Sequence, residues 1–221
     1  MTRIEAVRSS YDAVAQRYAE EIGDELIAKP VDRALYHCFA ELVREHVGAG
    51  RPVGDVGCGP GHVTRHLTGL GLTVVGVDVS PAMVRVAGLR HPHLRFELGT
   101  FAALPVADGG WAGAVAPYSI IHLDRDGRRL AFAELARAIA PGGWLLVTFH
   151  ISDADAAAGE VRHLTDWWDT PVQLDFHFLD PAEVAGEMAA AGFAVMARTE
   201  REPWPDGEHA SRRGYLLARR R

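Results

Sequence analysis

Asp55, Gly57, Gly59 and Gly61 alternate along Val53-Gly54-Asp55-Val56-Gly57-Cys58-Gly59-Pro60-Gly61, and a second apolar run, Val74-Val75-Gly76-Val77, ends in Asp78. One strand ending in an acid and close-set glycines, and a second ending in another acid, describe a pocket for an adenosine-bearing ligand. Such a pocket lies at the carboxyl edge of a parallel sheet. The glycine spacing chooses the ligand. A dinucleotide site reads G-x-G-x-x-G and leaves a helix N-terminus free for a pyrophosphate; here His62 stands where the third glycine would fall. Asp55, just ahead of the loop, would repel a pyrophosphate at close range. S-adenosylmethionine carries a sulfonium and an ammonium and no phosphate, so an acidic strand end suits it. The glycines then let the backbone approach the ligand with no Cβ in the way. Asp78 is placed to accept hydrogen bonds from the two ribose hydroxyls.

These residues resemble the class I S-adenosylmethionine-dependent methyltransferases. Asp55-x-Gly57-x-Gly59-x-Gly61 is similar to that family's first motif and Asp78 to its ribose-binding acid. The resemblance continues through Leu104-Pro105-Val106-Ala107-Asp108, Ser119-Ile120-Ile121-His122 and Leu135-Ala136-Arg137-Ala138-Ile139-Ala140-Pro141-Gly142-Gly143, and covers residues 53–150. It implies a doubly wound, mostly parallel seven-stranded Rossmann-like α/β sheet with helices on both faces. It also implies methyl transfer to a small metabolite, with oxygen the favoured acceptor and nitrogen or carbon the alternatives. A non-methylating protein that binds S-adenosylmethionine would carry the same cofactor residues, so that reading stays open.

Composition bounds the rest. A chain of 221 residues with 48% hydrophobic content fits one packed domain. A net charge of −6 and the absence of an internal basic stripe argue against nucleic acid held through phosphates. The two cysteines form no C-x-x-C pair, so no disulfide framework or zinc site is expected. No signal peptide and no long apolar run is present, which predicts a cytoplasmic protein without a membrane span. No metal is expected, and a homodimer is compatible with the sequence. Lys29 is the single lysine among 23 basic residues.

The elements that position these residues follow from periodicity. Two amphipathic helices are expected over 3–22 and 30–47. Strands follow near 53–57, 73–78, 94–98, 112–116 and 144–150, with helices near 61–69, 81–89 and 126–140. Ser80-Pro81 reads as an N-cap with proline at the first helical position, and Pro141-Gly142-Gly143 as a helix stop. After 150 the alternation breaks, except that Val172 to Phe178 reads as a strand. A helix at 181–191 and strands near 193–201 and 213–219 complete the chain, the last two an antiparallel hairpin by resemblance. The single domain thus divides into a helical lid (1–50), a cofactor core (51–150), a substrate-cap insertion (151–180) and a closing helix with antiparallel strands (181–221).

Several further residues are candidates. Cys58 reads as a small apolar residue inside the glycine loop. Val79 and Met83 are placed to pack on the adenine. Thr100 and Phe101 fall where many relatives carry an acid for the adenine amino group, so a hydroxyl or backbone contact is expected instead. Tyr118 should lie near the methionine part of the cofactor. Tyr11-Asp12-x-x-Ala15-x-x-Tyr18 is similar to the lid helix of small-molecule methyltransferases. Tyr11 and Tyr18 share one helical face, either closing over the cofactor or packing on the sheet edge. Arg33 either pairs with the cofactor carboxylate or sits at the surface. His122 and His150, at strand ends, are the candidate general bases. His163 and His177 in the insertion are candidates for the substrate side. Trp167 and Trp168 suit an apolar, ring-bearing small molecule or cover a sheet edge.

Overall fold

Thr2 caps the first helix with a reciprocal pair: its side chain accepts from the Glu5 amide, and the Glu5 carboxylate accepts from the Thr2 amide. In the computed structural model, which describes residues 2–47, 50–205 and 208–221, α1 (Arg3–Ile22) leads through a short 3-10 turn (Glu25–Ala28) into α2 (Pro30–Val47). The alternating part comprises β1 (Val53–Val56), α3 (His62–Gly69), β2 (Val74–Asp78), α4 (Pro81–Arg90), β3 (Arg95–Leu98), β4 (Trp111–Pro117), α5 (Arg125–Ala138) and β5 (Ile139–Asp153). Then come a hairpin of β6 (Val161–Trp167) and β7 (Thr170–His177), followed by α6 (Pro181–Ala190), β8 (Phe193–Arg201) and β9 (Ser211–Arg220).

Seven strands form one sheet in the order β3-β2-β1-β4-β5-β9-β8, parallel except for β9, which runs antiparallel to both neighbours. Alternation along β5 sends side chains to opposite faces. Leu145, Val147 and Phe149 join Phe132 and Leu135 of α5 and Met188 of α6. Trp144 and Leu146 join Phe39 of α2 and Leu67 of α3 on the other face. Both faces are thereby covered, as the strand–helix rhythm predicts. The strand order reverses between β1 and β4, and a crevice opens at such a switch point beyond the strands' carboxyl ends.

Two departures from the sequence reading have local causes. The fifth helix ends at Ala138 rather than 140, because Ile139 already pairs with Trp111 as the start of β5. Pro141-Gly142-Gly143 then lies inside an irregular strand, with Gly142 at φ 80° and a register shift between Trp111 and Gly113. The second departure is β6. Its residues are half-exposed and lack apolar alternation, and its turn uses Trp168 and Asp169, both left-handed at φ 56° and 61°. Asn-Gly, the usual signal for such a turn, is absent. Among the described residues no helix is long and apolar enough to cross a membrane.

Candidate functional site

The glycine loop leaves β1 and enters α3, and its three glycines serve different ends. Gly57, at φ 77°, is pressed against the turn after β4: a Cβ there would stand 2.3 Å from Ser119 Cβ. At Gly61, φ 84°, a Cβ would come within 2.7 Å of the Phe96 ring. Both are therefore required by the protein's own packing. Gly59 faces open space, with only Tyr18 near an added Cβ, at 3.7 Å. Gly57 and Gly59 line a cavity of about 330 Å³ at the sheet switch point, whereas Cys58 and Gly61 do not. Cys58 is instead buried in the loop's underside.

Asp78 lies on this cavity. Its Oδ2 accepts from the Gly59 amide at 2.8 Å and its Oδ1 from the Ser80 amide at 2.9 Å. Burial raises its pKa to about 6 against the opposing pull of those amides. Val79, Met83, Thr100 and Phe101 line the same cavity and give it an apolar wall. The Thr100 hydroxyl accepts from the amides of Ala102 and Ala103, each at 3.2 Å, which leaves its proton to donate.

Asp55 does not form the rim that its place in the sequence suggests. It is fully buried beneath the loop, where Oδ2 accepts from the Thr64 hydroxyl at 2.6 Å and Oδ1 has no partner. Desolvation raises its pKa to about 6, with Thr64 and the nearby His62 pulling the other way. Arg33 is also placed elsewhere. Its guanidinium donates to the Leu26 and Ile27 carbonyls, the latter at 2.6 Å, tying down the 3-10 turn, and it lines neither cavity.

A second cavity of about 690 Å³ lies between α1, the 3-10 turn and the β6–β7 hairpin. Tyr11, Tyr18 and Tyr118 line both cavities and stand between them. Tyr118 sits at a strained φ of 48°, and its hydroxyl donates to the buried Asp32 at 3.0 Å. Tyr18 meets Tyr11, Trp167 and Trp168 edge-on, and the two tryptophans stack at 4.8 Å. Trp167, Trp168 and His177 line the larger cavity. His163 does not: its side chain is 73% exposed and pairs outward with Asp175. The reason is the period of β6, which sends alternate residues away from the cavity.

Neither candidate base presents a free basic nitrogen. His122 Nδ1 lies 3.0 Å from the Asp175 carbonyl, which only accepts, so Nδ1 carries the proton. Burial holds the ring neutral, with a pKa of about 4, so Nε2 is an acceptor, and the Tyr11 hydroxyl donates to it at 2.7 Å. That bond ties α1 to the turn after β4. His150 Nδ1 lies 2.6 Å from Ser211 Oγ. Ser211 is fully buried and its hydroxyl has no other acceptor among the described residues, so it donates to Nδ1. His150 therefore turns an Nε2–H toward the larger cavity as a donor. Burial, then Arg213, His209 and Lys29, push its pKa well below the usual value.

Three site residues escaped the sequence reading. Asp12 of α1 accepts from the Ser80 hydroxyl (2.6 Å) and the Ala82 amide (3.0 Å), docking the first helix onto the cap of α4. Lys29 and Arg213 line the larger cavity, both nearly sealed from solvent. An isolated lysine in an arginine-rich chain was the one available signal for Lys29.

A carboxylate braced at the end of β2, a glycine loop at the end of β1 and the first helix thus meet around one cavity at the sheet switch point. Residues 53–143 match the family model described as "Methyltransferase domain". Over these residues the chain is similar to methyltransferase domains, and its fold is shared with solved structures described as S-adenosylmethionine-dependent methyltransferases. It is 30% identical over 147 residues to a demethylmenaquinone methyltransferase of Renibacterium salmoninarum, covering 66% of this chain and 59% of that protein. It is 35% identical over 130 residues to a trans-aconitate 2-methyltransferase of Methylobacterium nodulans, covering 52% and 48%. The chain thus spans about half to three fifths of these relatives' length. Among solved structures, the [4+2]-cyclase SpnF superposes with a TM-score of 0.72 at 18% identity, covering 100% of this chain and 97% of that one.

Proposed function

We propose that this protein is a methyltransferase that uses S-adenosylmethionine to methylate a small molecule, with oxygen the favoured acceptor atom. The observation that carries this reading is the pair of cavities meeting at Tyr11, Tyr18 and Tyr118, one bearing Asp78 and Gly59 and the other His150. The smaller cavity fits the donor. The Asp78 carboxylate accepts from the Gly59 and Ser80 amides and has lone pairs left for ribose hydroxyls, while Val79, Met83 and Phe101 supply an apolar bed for adenine. The buried, unpartnered oxygen of Asp55 adds negative potential under the loop, which favours a cation. When bound, S-adenosylmethionine supplies a methyl carbon activated by its sulfonium.

The chain's part is to align the acceptor and exclude water. We assign α1 to a lid, latched by Tyr11 to His122 and by Asp12 to Ser80, and the β6–β7 hairpin to the acceptor's cap. The relatives named for trans-aconitate and demethylmenaquinone support a small acceptor. Because the same fold serves a cyclase, fold alone does not assign methyl transfer. Incubation with S-adenosylmethionine and a library of aryl acids, phenols and amines, read by mass spectrometry, should yield products heavier by one methyl. Cofactor binding without any methylated product would favour the non-transferring alternative.

A further inference from the structure

The larger cavity has aromatic walls and cationic groups. Trp167, Trp168, Phe176 and Phe178 face it from the hairpin and the segment after it. Lys29 also lines it; its Nζ donates to Glu25 Oε2 at 2.7 Å and lies 4.8 Å from the Tyr118 ring centroid. An ammonium has three hydrogens. No other acceptor for it occurs among the described residues, and its side chain is 5% exposed. His150 adds the Nε2–H that Ser211 orients. Arg213 stands behind, with its Nε buried and unpartnered.

Among the described residues four carboxylates line the cavity: Glu21 and Asp24 are largely exposed, 3.9 Å from Arg17 and 3.2 Å from Arg65, and the other two are engaged. Glu25 is held by Lys29 and His62, and its pKa falls to about 2. Glu208 is gripped by Arg201 through both oxygens and also meets Arg213 at 3.1 Å. At the His150 ring the cations outweigh Glu25, the weakest of the influences acting on it. Burial, which disfavours charge of either sign, is the largest of these influences; only the surplus of cations over Glu25 favours negative charge there. No buried, unpaired carboxylate of the described residues faces the cavity to deprotonate an acceptor; the partnerless Nε2 of His177 is sealed, and His209 Nε2 is drawn to Asp153 at 3.3 Å.

We propose that the acceptor is a ring-bearing carboxylic acid, bound as its carboxylate between Lys29 and His150 with its ring against the tryptophans. This rests on the methyltransferase reading for the reaction, though not for the binding. A carboxylate oxygen needs no base. Its lone pair forms the new C–O bond, the C–S pair stays on sulfur, the two opposite charges cancel, and no proton is released. The product is a methyl ester.

The test compares benzoate, cinnamate and 2-naphthoate with their amides, and 2-naphthoate also with 2-naphthol, by calorimetry with and without S-adenosylmethionine. At least one acid should bind about tenfold or more tightly than its amide, as expected of a charge-assisted contact in a desolvated site. Lys29→Met, and Lys29→Met with Glu25→Gln to keep the charges balanced, should reduce that preference to about twofold or less. The ester should appear as an alkali-labile gain of one methyl. Equal binding of acids and amides, a naphthol that matches naphthoate, or a preference surviving the double substitution overturns the proposal. If the cofactor binds and no acid is preferred, this inference falls and the methyltransferase reading stands. If acids are preferred and the cofactor never binds, the donor reading falls and the anion site stands.

Discussion

Asp55→Asn should make the unliganded protein more stable and bind its donor less well. Asp55 is fully buried with one oxygen unpaired, and its pKa is raised from 3.8 to about 6. A carboxyl group that holds its proton more tightly when folded adds stability below its unfolded pKa and loses it as pH rises through the folded value. A shift of about 2 units at about 1.4 kcal/mol each puts the loss at about 3 kcal/mol near pH 7.5. Asparagine removes that penalty. The Thr64 hydroxyl can turn to accept from the new amide, but the second amide hydrogen stays without a partner, at a cost of about 1–2 kcal/mol. The net gain is about 1–2 kcal/mol, or about 3–6 °C in melting temperature for a chain of this size. Linkage predicts that the wild-type penalty falls by about half between pH 7.5 and 5, so the advantage of the variant should shrink to near zero there. Differential scanning fluorimetry at both pH values reads this directly. Added S-adenosylmethionine should raise the wild-type melting temperature more than the variant's, because the cation relieves the buried charge. A variant that melts lower at pH 7.5, or an advantage that ignores pH, refutes the reasoning.

Tyr11→Phe removes the hydroxyl that bonds His122 Nε2 at 2.7 Å. With that hydrogen bond worth about 1 kcal/mol and already formed without donor, the melting temperature should fall by about 2–4 °C, and donor affinity by up to about fivefold in calorimetry. Gly57→Ala forces a Cβ to 2.3 Å from Ser119 at φ 77°, so donor binding should drop by more than about tenfold, measurable by fluorescence titration. Arg128 and Glu187, both buried, share two hydrogen bonds of 2.8 Å between α5 and α6. Arg128→Ala should cost about 3–5 kcal/mol in urea denaturation, whereas Arg128→Met with Glu187→Leu should cost far less.

The sequence makes the sheet and the donor side readable because both obey local rules. The apolar runs of β1, β2, β4 and β5, the Ser80-Pro81 cap and the acid closing β2 each depend on neighbouring residues alone. What escaped depends on tertiary placement. Asp55 precedes the loop in the chain, yet the strand's pleat turns its carboxylate down onto Thr64. Arg33 reaches back to carbonyls one turn before α2 instead of reaching a ligand. The larger cavity draws Lys29, His150, Trp167 and Arg213 from four separate elements, and no spacing in the chain unites them. The roles of His122 and His150 turn on hydroxyls more than 60 positions away, Tyr11 and Ser211, at |i−j| of 111 and 61.

The account depends on a site shaped for a cationic adenosyl donor at the glycine loop. Calorimetry of the protein with S-adenosylmethionine, and separately with NAD⁺, tests it most directly. Saturable binding of S-adenosylmethionine, weakened by Gly57→Ala, with no heat from NAD⁺ is the predicted result. Saturable NAD⁺ binding that Gly57→Ala abolishes, or no heat from S-adenosylmethionine, would contradict it.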